Sequence, residues 1–156
     1  MEISDLKKRS EAYADGEWIS GLPGMPDDVS LRVRSMESPV AVSAYGRLVR
    51  MLPNDQREEN GMPLPEAEAA INRRVLVDAI LLNWAGLEDN GEPVPYSVEQ
   101  ATDWMEIELF EAAVRAAAAR VTANWSTRKE QLQGNSEAPS GGGSGRGKRR
   151  KGGGAP

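Results

Sequence analysis

The 156-residue chain has no cysteine and no histidine. Without cysteine there is no disulfide, no thiolate metal site and no cysteine nucleophile. Without histidine the usual ligand of zinc, iron and copper is gone, and so is the commonest general base near neutral pH. Together the two absences weigh against an enzyme, and no cofactor or metal is expected. Long apolar runs are missing as well. None is longer than the run from Ala79 to Leu82, which falls far short of a membrane span. The opening Met1-Glu-Ile-Ser-Asp-Leu-Lys-Lys-Arg has no apolar stretch behind its charges, so no secretory signal is visible and a cytoplasmic location is expected.

Charge is unevenly spread. The net charge is −5, yet the stretch from Gly134 onward carries +4, which leaves −9 on residues 1–133. So acidic a body repels nucleic acid and anionic membrane alike. From Gly134 no apolar side chain larger than alanine or proline occurs. Ordering that stretch costs on the order of 1–2 kcal/mol per residue in backbone entropy with nothing to offset it, so residues 134–156 read as a disordered glycine-rich tail.

Within 1–133 the hydrophobic pattern is mostly helical. Ser4 to Tyr13 reads as a short helix. Ser38-Pro39 places an N-cap serine before a proline at the first helical position, and Ala41, Tyr45, Leu48, Val49 and Leu52 continue the stripe. A central helix is expected from about Glu66 to Trp84, with Ile71, Val75, Ala79 and Leu82 on one stripe and Leu76, Ile80 and Trp84 beside it. Gly86 would cap it in the left-handed conformation. Ser97-Val-Glu-Gln100 is a capping-box pattern opening a further helix that ends or bends near Glu106. Ile107, Phe110, Val114, Ala117, Val121 and Trp125 then form one narrow seam. Ahead of the helices, Gly16 to Gly21 and the alternating Val29-Ser-Leu-Arg-Val-Arg-Ser suggest a hairpin over about residues 16–36, with Arg32 and Arg34 facing water. The expected fold is therefore mainly α: a small helical bundle over 1–133 with a short N-terminal β-hairpin, followed by the tail.

Motifs with chemistry are weak. Gly142 to Lys148 matches a phosphate-binding loop up to its last position, where Arg149 replaces serine or threonine, and no strand precedes it. Glu88 to Glu92 lacks the ligand spacing of a calcium loop and reads as a turn. Arg146, Lys148, Arg149, Arg150 and Lys151 form a basic cluster able to touch a polyanion, but no aromatic side chain interleaves with them. The seam on the last helix serves as core or as a docking face for another chain. Tryptophan is over-represented among binding hot spots, and Trp18 and Trp125 both sit beside polar sequence. The candidate partner-binding residues are thus Trp18, Ile107, Phe110, Val114, Val121 and Trp125.

Several blocks resemble one family. Gly16-Glu17-Trp18, Arg32-Val33-Arg34-Ser35, Ser38-Pro39, Asn83-Trp84-Ala85-Gly86-Leu87 and Gly91-Glu92-Pro93-Val94-Pro95-Tyr96-Ser97 are similar to the tail assembly chaperones of long-tailed bacteriophages. The helix through Phe110 to Trp125 and Gly134-Asn135-Ser136 fit as well, so the resemblance covers roughly residues 14 to 136. It implies a helical, non-catalytic protein of the bacterial host cytoplasm. Such a protein binds the tape-measure protein, keeps it soluble and helps recruit tail-tube protein; homo-oligomers are compatible with it. The competing reading is a small nucleic-acid-binding or regulatory protein acting through the basic tail.

Overall fold

A three-stranded antiparallel sheet organises the N-terminal part of the protein. The computed structural model describes residues 2–137. After helix α1 (Ile3–Asp15), strands β1 (Glu17–Ser20) and β2 (Ser30–Val33) form the expected hairpin, pairing Glu17 with Val33 and Ser20 with Ser30. Their alternation places Ile19, Leu31 and Val33 in the core. Helix α2 (Pro39–Arg50) starts where the sequence indicates, its first turn closed by the Ser38 hydroxyl accepting from the Ala41 N–H at 3.3 Å. Helix α3 (Pro65–Val75) follows. The pair β4 (Glu88–Asp89) and β5 (Glu92–Pro93), helix α4 (Val98–Trp104) and helix α5 (Glu108–Glu137) complete the order after the third strand.

That third strand, β3 (Leu81–Ala85), is the main departure from the expected fold. The central helix does not run to Trp84. It ends at Val75, widens into one π-turn over Leu76–Ile80, and passes directly into β3, which pairs antiparallel with β2. A short apolar run such as Ala79 to Leu82 suits a buried strand as well as a buried helix, and periodicity does not separate the two. The unpaired edge of β2 does, because its backbone groups need partners. Arg34 completes the switch and so does not simply face water. Its backbone N–H donates to the Ile80 carbonyl at 2.9 Å and its guanidinium to the Ala79 carbonyl at 3.1 Å, where the π-turn leaves acceptors free. The described residues consequently form a mixed α/β fold, helices with five strands in two small antiparallel sheets, and not a mainly α bundle with a single hairpin.

Trp84 anchors the sheet. It is 5% exposed, stacks on Trp104 at a centroid distance of 4.9 Å, and meets Tyr96 and Phe110 edge-on at 5.1 and 6.0 Å. Each such pair contributes roughly 0.5–1.5 kcal/mol beyond area burial. Its indole N–H donates to the Val94 carbonyl at 2.7 Å, and the Tyr96 hydroxyl to the Leu81 carbonyl at 3.3 Å. The Pro93-Val-Pro-Tyr96 segment is thereby bound back along β3. Asn90 and Gly91, both at positive φ, make the tight turn between β4 and β5.

The described residues divide into two compact units, 2–124 and 125–137. Within the first, α5 lies against the strands. Arg120 donates to the Ser20 carbonyl, the Ser35 and Thr122 hydroxyls share a 2.6 Å hydrogen bond, and Asn124 donates to Glu17. In the second unit the described residues, 125–137, continue helix α5 past Gly134. The remainder of the expected disordered tail lies outside the described residues.

Gly86 gives a direct test of the strand switch. It caps a strand, not a helix, at φ 84°, and a Cβ there would stand 2.3 Å from the Asp28 carbonyl oxygen. Gly86→Ala should destabilise the fold by about 2–4 kcal/mol from left-handed strain plus backbone collision. Gly91→Ala, with nothing within 4 Å of the new methyl, should lose only about 1 kcal/mol. Urea unfolding of the two variants checks the contrast; equal losses would contradict the strand-end geometry.

Candidate functional site

The candidate site is the surface where α2 meets α3 and the π-turn. The proline at the head of each helix sets its start. Along α2, Val40, Ala44, Arg47 and Met51 recur at three- and four-residue spacing and so share one face. Two clefts follow that face. One, of about 450 Å³, lies between the first turns of α2 and Asp78 and Ala79. The other, of about 260 Å³, lies between the end of α2 and Ala67, Ala70, Ile71 and Arg74. The early turns of α2 thus face the end of α3 and its last turn faces the beginning, so the two helices run antiparallel. The clefts meet at an ion pair, since Arg74 borders one, Asp78 borders the other, and their side chains are 2.9 Å apart.

The floor of this groove is small and apolar: Ala44, Ala67 and Ala70, with Leu48 and Ile71 beneath. Its lips carry larger exposed apolar groups, Val40 at one end and Met51, 72% exposed, at the other. A methionine there is unbranched and polarisable and adapts to many shapes of partner. Arg47 adds positive charge to the rim, and it has no ion-pair partner among the described residues.

Two fastenings hold the groove's geometry. The Tyr45 hydroxyl lies 2.8 and 3.0 Å from the two Glu68 carboxylate oxygens, which ties α2 to α3. Arg57, in the loop between the helices, donates to the Val49 and Leu52 carbonyls at the end of α2 and to the Gly61 carbonyl. That arginine closes the orphan carbonyls of the helix and stiffens the loop in one contact set. Neither fastening carries a sequence signature; both partners lie far apart in pattern and only the fold brings them together.

Of the residues singled out from the sequence, Phe110, Val114 and Val121 are 4, 0 and 0% exposed and lie together in the core. Ile107 is exposed at the start of α5, with Leu109 beside it. Trp18 is half exposed on the outer sheet face, in register with Arg32 and hence with Asn83. Trp125 belongs to the second unit and is partly exposed. The structure does not gather these six into one surface. The basic cluster Arg146, Lys148, Arg149, Arg150 and Lys151 lies outside the described residues. Among the described residues no three histidine, cysteine, aspartate or glutamate side chains are grouped so as to hold a metal ion. No described helix is long and apolar enough to cross a membrane.

Residues 36–135 match the model of a family described as YdaY prophage protein. No curated protein matches the chain, and no solved structure does.

The clasp between α2 and α3 is open to titration. The hydrogen bond to Glu68, with smaller contributions from burial and the carboxylate charge, raises the Tyr45 pKa above its ordinary 10.0. A native pKa above the unfolded one means the folded state holds the proton more tightly. The stabilisation is therefore complete below pH 10.0 and fades as pH rises through the native value. Phenolate absorbance, assigned by difference against Tyr45→Phe, should show Tyr45 titrating above 10.0 in the native protein and moving back toward it in Glu68→Gln. Identical titrations would contradict the clasp.

Proposed function

The chain belongs to the YdaY prophage protein family and is therefore phage-derived, and from that premise we propose that it is a non-enzymatic assembly chaperone of a phage tail. It binds a long helical client, the tape-measure protein, keeps it soluble in the host cytoplasm and helps bring in tail-tube protein. The observation that carries this reading is the α2/α3 groove, a pre-formed trough of alanines with exposed Val40 and Met51 at its lips. Helices dock in such grooves through residues repeated at i, i+3, i+4 and i+7, and small floor residues let the backbones approach closely. Clients of diverse sequence fit because methionine and arginine side chains rearrange at little cost.

The client is placed here, and not on the seam of α5, because Phe110, Val114, Ala117 and Val121 are already used by the protein's own core. Opening that seam would expose the centre of the fold. The charge of −9 on residues 1–133 supports the same reading, since a loaded complex that stays strongly anionic resists aggregation. The resemblance of the Trp84 to Tyr96 block to tail assembly chaperones adds the identity of the client.

Co-expression with the tape-measure and tail-tube proteins of the same phage tests the proposal. Wild-type protein should bring the tape-measure protein into the soluble fraction and co-purify with it. Met51→Glu, on an exposed side chain, should leave far-UV helicity unchanged and weaken recovery about tenfold, as expected for losing roughly 1.5 kcal/mol of apolar contact. Equal recovery with Met51→Glu would contradict the groove; no effect of the wild type on client solubility would contradict the function.

A further inference from the structure

We infer that in the absence of a client this groove takes the Glu106–Leu109 corner of a second copy of the chain. The inference rests on reading the groove as a protein-binding site. The corner is the turn between α4 and α5, and it is pre-ordered. The Ile107 N–H donates to the Trp104 carbonyl at 2.9 Å and the Glu111 N–H to the Ile107 carbonyl at 3.0 Å. On either side Met105 and Phe110 point into the core at 1 and 4% exposure, while Ile107 and Leu109 stand out at 52 and 63%. Two large apolar side chains on a rigid turn, flanked by Glu106 and Glu108, make an acidic, greasy projection.

Charge selects where such a projection can land. With −9 on each copy's residues 1–133, two copies repel each other unless opposite charges meet. The middle of the α2/α3 groove offers that meeting place: Arg47 and Arg74 stand there against the single carboxylate of Asp78. Apolar floor beneath basic rim matches apolar tip beside acidic flanks. A copy cannot satisfy its own groove in this way. Its corner is fixed by the backbone bonds above and by Glu106 standing 3.6 Å from Arg73, on the side of α3 that faces α4. The occupant is therefore a second molecule, and client binding competes with self-pairing for one surface.

Sedimentation of the full-length chain over a concentration series, at low and high salt, tests the pairing. Wild-type protein should associate, more weakly at high salt. Met51→Glu alone, or Ile107→Glu with Leu109→Glu, should each weaken association at least tenfold, with unchanged far-UV circular dichroism because all three side chains are exposed. Mixing the two variants should restore a mixed assembly, since one brings an intact corner and the other an intact groove. Wild-type protein that remains monomeric to about 100 μM, a range of weak association, would overturn the pairing. So would a mixture that yields no mixed species. Tape-measure binding by the Ile107→Glu/Leu109→Glu variant keeps the two ideas apart. If it persists while wild-type chains fail to pair, only the self-pairing falls. If chains pair and complement as described but no client is taken, only the chaperone function falls.

Discussion

Burial of Trp84 is the constraint on which the rest of the fold depends. Its ring stacks on Trp104 and meets Tyr96 and Phe110, so one side chain joins β3, the Pro-Val-Pro-Tyr segment, α4 and α5. Its N–H must also find an acceptor once out of water, and the Val94 carbonyl supplies it. Both demands are met only if Leu81 to Ala85 is extended and paired with β2. The π-turn at Leu76–Ile80 follows from that requirement: α3 has to end in time for Trp84 to reach its pocket, and Arg34 collects the carbonyls that the ending leaves behind.

The same arrangement makes the candidate site. Because α3 stops early and α5 covers the strands, α3 is free to pair with α2 along its other side. The Tyr45–Glu68 clasp and the Arg57 contacts then hold the two helices at a spacing that leaves a groove. Alanines in the floor keep it open enough for a backbone to enter, and the ends are marked by exposed apolar groups. The candidate site is thus a matter of which apolar surfaces the core consumes and which it leaves outside.

Much of this is written in local sequence. Ser38-Pro39 and Ser97 through Gln100 announce helix starts, and both serines accept the hydrogen bonds that capping requires. The alternation in Val29 to Ser35 marks β2, and the spacing from Phe110 to Val121 marks a buried helical face. The passage from Val75 to Ala85 is not legible in this way, because an unbroken apolar run fits a buried strand and a buried helix equally and only the distant edge of β2 decides. Gly86 shows the same limit: its left-handed conformation could be expected, but which kind of element it ends could not. The groove is harder still. Its face on α2 combines Val40, Ala44, Arg47 and Met51, a stripe too mixed to stand out from an ordinary solvated surface, and it exists only because the Arg57 loop and α3 frame it.

Hydrogen exchange on the protein mixed with tape-measure protein is the most direct measurement of the proposed chaperone role, since it reports which surface such a client would cover. Adding client should protect backbone amides of residues 40–51 and 67–78 and leave 110–121 as slow as in the free protein, where that helix face is already buried. Protection absent from α2 and α3, or exchange in 110–121 that accelerates as the core opens to receive the client, would contradict docking in the α2/α3 groove.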